Sequence, residues 1–194
     1  RADILIDFSS VKVGEMIYLI NETFSTMGTA QGTQAFKIMS FNVNKQETDT
    51  FKMPTSLIPF SKIQGSSKTR TFALTMDMMA MSGGMHKING KVFKADRIDE
   101  TVNFGATEIW EFDNSTGDEP HTMHIHGVIF QVVSRTNGRA TILPHEKAWK
   151  DTVLVAPKEK VQVIMTFGQK GKFVFHCHNL EHEDDGMMLN FEVK

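Results

Sequence analysis

Residues 173–188 read FVFHCHNLEHEDDGMM. The element starts with a turn after GQK (168–170) and rises, apolar, into His176-Cys177-His178. Read as a strand, it decides the fold around it, because neighbouring side chains on a strand point to opposite faces. Cys177, the only cysteine in 194 residues, then faces one way. His176 and His178 both face the other.

A second segment, EPHTMHIHG at 119–127, carries His121, His124 and His126, so six of the eight histidines sit in two short stretches. By the same alternation His124 and His126 share a face, and His121 has the opposite parity. Two groups result. One is Cys177 with His121, joined by His182 and Met187 from the loop that leaves the strand. The other is four imidazoles, His124, His126, His176 and His178. Two imidazoles, one thiolate and one weak thioether suit a blue-copper site, and the remaining imidazoles can serve a separate copper site. Adjacent Cα atoms are about 3.8 Å apart, so residues 176–178 form a short covalent path between the groups. Zinc also binds His and Cys. A single thiolate among so many imidazoles, with a Met at the right loop offset, favours copper.

Working outward, the pattern is β throughout. TRTFALTM, KINGKVF, TEIWEFDN, GVIFQVVSR, DTVLVAP, KVQVIMTF, GKFVFH and MLNFEV recur at roughly ten-residue spacing, as in an all-β sandwich over 69–194. Residues 45–68 are polar, hold two of the five prolines and lack periodicity, which reads as a linker. Before it, segments 2–8, 15–21 and 35–43 read as strands; residues 1–44 are too few for a sandwich and read as the tail of a preceding domain. The first residue is Arg1 rather than Met, which reads as a start inside a longer protein.

The formal net charge of −2 and pI of about 6.5 imply no surface for polyanions, hence no nucleic acid partner. No run of 18 apolar residues exists, so no helical membrane span is expected. Residues 76–85, MDMMAMSGGM, hold five of 13 methionines. Thioethers suit Cu(I), but gap-filling core and loop Met is the commoner use of such residues. His86 and His145 stand alone in the sequence and read as ordinary surface or core residues.

With HxxHxH and HCHxxxHxxxxM on the page, the chain resembles the C-terminal portion of the multicopper oxidases, the family of laccases, bilirubin oxidase and bacterial cuprous oxidases. RADILIDFS, KINGKVF and TEIWEFDN also resemble that family between its motifs. The resemblance implies a cupredoxin-like Greek-key β-sandwich, preceded by a few strands from the end of a second cupredoxin domain. It implies type 1 copper on His121, Cys177, His182 and axial Met187, a type 2 ligand in His124, and type 3 ligands in His126, His176 and His178. Glu183 resembles the acidic residue that feeds protons to the oxygen site. The family completes its trinuclear cluster with two further HxH motifs from an N-terminal cupredoxin domain; this chain has neither. The expected whole enzyme takes single electrons from a small reductant (a phenol, a bilirubin-like pigment, Cu(I) or another metal ion) and reduces O2 to water, in a periplasmic or extracellular location. The alternative is a stand-alone blue-copper electron-transfer domain without oxidase activity.

Overall fold

The computed structural model describes residues 4–23, 34–55, 61–80 and 83–194. The chain divides into two compact units, Ala2–Phe60 and Ser61–Lys194.

In the first unit, β1 (Met16–Asn21) pairs antiparallel with β2 (Phe36–Asn42), with a register shift between Leu19 and Ile20. Tyr18, Ile20, Phe36, Ile38 and Met39 along this ribbon are exposed. The strand expected over 2–8 is not formed in its described part. Residues 4–8 have no ladder partner among the described residues, and Ile4 and Leu5 lie open to solvent. A strand needs a partner for its backbone groups, and here the segment instead runs into a turn, where the Ser9 N–H donates to Asp7 Oδ1 at 2.8 Å.

The second unit is a sandwich of two five-stranded sheets. The first contains β3 (Lys68–Met76), β4 (His86–Ile88), β6 (Thr107–Asp113), β8 (Gln131–Asn137) and β10 (Glu159–Thr166), in the order β4-β3-β6-β10-β8. The second contains β5 (Glu100–Val102), β7 (His121–Ile125), β9 (Thr152–Val155), β11 (Gly171–Cys177) and β12 (Met188–Val193), in the order β5-β12-β11-β7-β9. Two pairings are parallel, β3 with β6 and β5 with β12, and the rest are antiparallel. β5 escapes a reading by hydropathy because it is only three residues long and just one of them, Val102, is buried. Only the first two residues of KINGKVF lie in a strand, β4; the segment then turns through Asn89 and Gly90, both at positive φ, and bridges back from Lys91 to Ile88.

Alternation builds the core. In β6 every second residue is buried, Glu108, Trp110 and Phe112. The aromatic centre joins the sheets: Phe72 lies 4.8 Å from Trp110 and 4.7 Å from Phe175, and Trp110 lies 5.3 Å from Phe191 between ring centroids. Each fully buried Phe contributes roughly 1.5–3 kcal/mol by leaving water. Glu108 is buried in the same row because Arg70 donates to both its oxygens, at 2.6 and 2.9 Å, and the Trp110 indole N–H donates to it at 3.0 Å.

β7 ends at Ile125, and the turn beyond it places Gly127 at φ +75°, where a Cβ would come within 2.5 Å of the Phe173 ring. Gly127→Ala combines left-handed backbone strain with a clash in packed surroundings. It should destabilise the unit by about 2–4 kcal/mol, read as a lower denaturant midpoint. An unchanged midpoint would contradict this account of the turn.

Candidate metal centre

The two histidine motifs lie on neighbouring strands. β11 pairs with β7 so that Cys177 is opposite Met123, His176 opposite His124 and Phe175 opposite Ile125. Residues opposite one another in a ladder share a face. Met123, Ile125, Phe175 and Cys177 therefore point into the sandwich, where all four are fully buried. His124 and His176 point away from it.

After Cys177 the chain turns through Asn179 into a short helix, α1 (Leu180–Asp184). Asn179 ties this turn to the start of β7: its amide donates to Pro120 O at 3.2 Å and its oxygen accepts from Thr122 Oγ1 at 3.2 Å. The segment anticipated as a plain loop is thus one helical turn, and it returns the side chain of His182 to the buried face. His121 Nδ1 and His182 Nδ1 lie 3.2 Å apart and face Cys177 Sγ at 3.7 and 3.5 Å. Metal–nitrogen bonds of about 2.0 Å and a metal–sulfur bond of about 2.3 Å, at roughly tetrahedral angles, require donor separations of about 3.3–3.6 Å. The three donors already stand at that spacing, so the set fits a metal ion. Met187 is fully buried. Its N–H donates to His182 O at 2.9 Å, and its carbonyl accepts from the Cys177 N–H at 3.0 Å.

Burial also sets the protonation of this group. It pushes His121 down to about 3, with His182 and His86 adding to the effect, and His182 down to about 4, with His86 adding to it. Both rings are neutral at pH 7 and can offer a lone pair. Burial pushes the Cys177 thiol up to about 11, so a bound cation must displace its proton.

On the other face, the ligand atoms of His124, His126 and His176 converge. His124 Nδ1 lies 2.7 Å from Asp151 O. A carbonyl only accepts, so this nitrogen is the donor and Nε2 keeps its lone pair. His176 Nδ1 likewise donates to Cys177 O at 3.1 Å, leaving its Nε2 3.1 Å from His126 Nε2. His178 is exposed and stands at the margin, its ring 5.4 Å from His176 and 5.7 Å from His124. Burial lowers the pKa of His124 and of His126, for which the neighbouring imidazoles add to the shift. Glu183 Oε2 comes 3.4 Å from His176 Nδ1.

Three participants escape a reading of the sequence. His86, taken as an isolated residue, stacks on His182 with ring centroids 3.8 Å apart. Glu119 and Asp185 contact the His86 ring. No spacing rule connects residues that far apart; Glu119, two positions before His121, was the nearest available signal. His145 is exposed in a 3-10 turn, Pro144–Glu146, and belongs to neither group of converging ligand atoms. Of the methionine-rich segment, Met78 and Met79 are exposed, while Met81 lies outside the described residues.

An all-β sandwich with a buried Cys-His-His set on one face of a strand and imidazoles on the other is a cupredoxin-like architecture. The multicopper oxidase family profile matches residues 32–194. A laccase of Haloferax volcanii is 36% identical over all of this chain and 34% of its own length, and a bilirubin oxidase of Albifimbria verrucaria is 34% identical over all of this chain and 35% of its own. Among solved structures, the McoA multicopper oxidase of Aquifex aeolicus superposes with a TM-score of 0.79 at 30% identity, covering 97% of this chain and 42% of that one. The chain belongs to the multicopper oxidase family. It spans 34–42% of the length of these relatives.

Proposed function

We propose that the chain is the C-terminal part of a multicopper oxidase. Its whole protein would oxidise a small reductant one electron at a time and reduce O2 to water. The observation that carries this reading is the β11–β7 pair with the α1 turn that follows it: Cys177, His121 and, from α1, His182 stand at metal-ligand spacing on one face, and three imidazoles converge on the other. Copper held here would supply single-electron chemistry, because Cu(I) and Cu(II) can share one fixed ligand set.

In this reading His121, Cys177, His182 and Met187 hold type 1 copper. The first three are preset by the fold, and the neutral imidazoles need lose no proton to bind. His124 is the type 2 ligand, and His126, His176 and His178 are type 3 ligands, completed by histidines of an N-terminal cupredoxin domain. The peptide of residues 176–178 joins the two sites covalently. In this reading Glu183 passes protons toward the imidazole face, which its position beside His176 and partial exposure support. The exposed apolar ribbon β1–β2 supports reading residues 1–44 as the end of a preceding cupredoxin domain and 45–68 as the connection. The reductant is a phenol, a bilirubin-like pigment or a low-valent metal ion, and the location periplasmic or extracellular, as for the family.

Oxygen uptake by the copper-loaded chain tests the reading. The chain alone should show the visible thiolate-to-copper band and accept an electron from a phenolic or Cu(I) reductant. It should not turn over O2, since half of the cluster ligands are absent. Turnover at the rate of a whole laccase would defeat it. Met187→Leu should retain copper and raise the reduction potential, because a weak donor is lost and Cu(I) tolerates lower coordination. A redox titration giving an unchanged or lower potential would remove Met187 from the ligand set.

A further inference from the structure

His86 lies outside both histidine motifs, on β4 in the sheet opposite β7 and β11. Its ring nevertheless covers that of His182, 18° from parallel at 3.8 Å. The His86 ring is itself held from two sides: Nδ1 lies 3.3 Å from Asp185 Oδ2 and Nε2 lies 3.3 Å from Glu119 Oε2. Glu119 Oε2 is also 3.5 Å from His182 Nε2, on the ring edge away from Cys177. The backbone completes the attachment. The N–H groups of Gly84 and His86 donate to the two oxygens of Asp185, at 2.6 and 2.7 Å. Asp185 caps the C-terminus of α1, the turn that carries His182. A second link, from the Phe93 N–H to Gly186 O at 2.9 Å, joins the chain just beyond β4 to the same turn.

This attachment answers a need of the site. The χ2 torsion of histidine is broad, so a ring presenting Nδ1 can swing about its Cβ–Cγ bond. His121, tilted by 53° with its centroid 5.0 Å away, does not fix the plane of His182. Among the described residues, the stacked ring on His182 is that of His86. A partner that orients a ligand is worth about 10–100-fold in metal affinity.

Resting on the proposed copper ligation by Cys177, His121 and His182, we infer that His86 is a positioning residue for that centre. Clamped between Asp185 and Glu119, its ring fixes the plane of His182 and keeps Nδ1 aimed at Cys177 Sγ. The site is therefore organised by both sheets, although its strand-borne ligands come from one.

The test compares the chain with His86→Ala, which removes the ring, and His86→Phe, which keeps a ring for the stack. The first readout is nitrogen-15 NMR of the His182 imidazole in the metal-free chain. Wild type should show one tautomer, protonated at Nε2; His86→Ala should show exchange-averaged signals, and His86→Phe a fixed ring. The second is the Cu(II) dissociation constant by chelator competition, together with the thiolate-to-copper band. His86→Ala should weaken binding about tenfold or more and move the band, while His86→Phe stays within about threefold of wild type. A folded His86→Ala with wild-type ring signals and affinity overturns the inference, as does a folded His86→Phe whose His182 ring is averaged. If His86→Ala loses its circular dichroism, His86→Phe decides alone. A wild-type chain that binds copper without a thiolate band overturns the copper reading instead, and the metal-free NMR still decides the role of His86.

Discussion

Cys177→Ser should abolish the thiolate-to-copper band and weaken copper binding by at least about 100-fold. Orienting partners alone are worth 10–100-fold, and the thiolate is itself a ligand. Stability should hardly move, because a serine hydroxyl fits the buried space and can hydrogen bond to His121 or His182; the change should stay within about 1 kcal/mol. Proton release separates the two roles. Burial holds the thiol at about 11, so wild type must shed one proton for each copper bound at pH 7. Its apparent affinity should therefore rise about tenfold per pH unit below that value. His121 and His182, at about 3 and 4, do not compete for protons in this range. In the serine variant both the proton release and the slope should vanish. A pH-independent affinity in wild type, or a band that survives the substitution, would remove Cys177 from the site.

The second large effect is expected far from any histidine. Arg135, on β8, is wholly buried and donates to Glu159 Oε2 at 2.7 Å, to both oxygens of Glu146 and to Leu154 O at 3.0 Å. Arg139 adds a second donor to Glu159 Oε2 at 3.0 Å. Replacing the whole cluster by apolar residues could be neutral, whereas removing one partner strands the others. Arg135→Met leaves two buried carboxylates short of charge and should cost about 3–5 kcal/mol, or about 10 °C in Tm. The pH dependence gives the sign. Burial alone would raise the Glu146 pKa, but the Arg135 hydrogen bond and the Leu143 N–H outweigh it, and the carboxyl titrates below its usual range. That stabilisation is present above the unfolded value and is lost as pH falls through the folded one. Without Arg135, burial wins and the shift reverses. The deficit should be largest near pH 7 and shrink on acidification, as urea titrations at the two pH values would show. A constant deficit would mean that Arg135 acts by packing.

The sandwich and the division of Cys177 and the strand histidines between two faces were legible in the sequence because both follow from period-two alternation. TEIWEFDN carries that alternation plainly, and the parity of HTMHIHG matches the burial of its side chains. What stayed hidden has physical causes. β5 contributes a single buried residue, and its partner β12 is about ninety residues away. The attachment of His86 to His182 runs through Asp185, across 99 residues, and long-range pairing of that kind leaves no periodic trace. Residues 4–8 look like a strand in composition, yet composition does not supply a ladder partner. The His182 turn was placed correctly as to its origin but not its form, since five helical residues are too few to show a helical period.

The alternation along β11 has a consequence for how this stretch can vary. A strand whose two faces hold different chemistry has a reading frame. Substitution at one position disturbs one face, but a single-residue insertion or deletion between Gly171 and Cys177 would exchange the faces for everything beyond it. The thiol would then turn outward and two imidazoles would enter the aromatic core. The neighbouring ladders allow no compensating slip, because β12 and β7 hold β11 on both edges. Length changes are therefore barred from β11 and must fall in the connections between strands, where a residue more or less leaves each strand's frame intact.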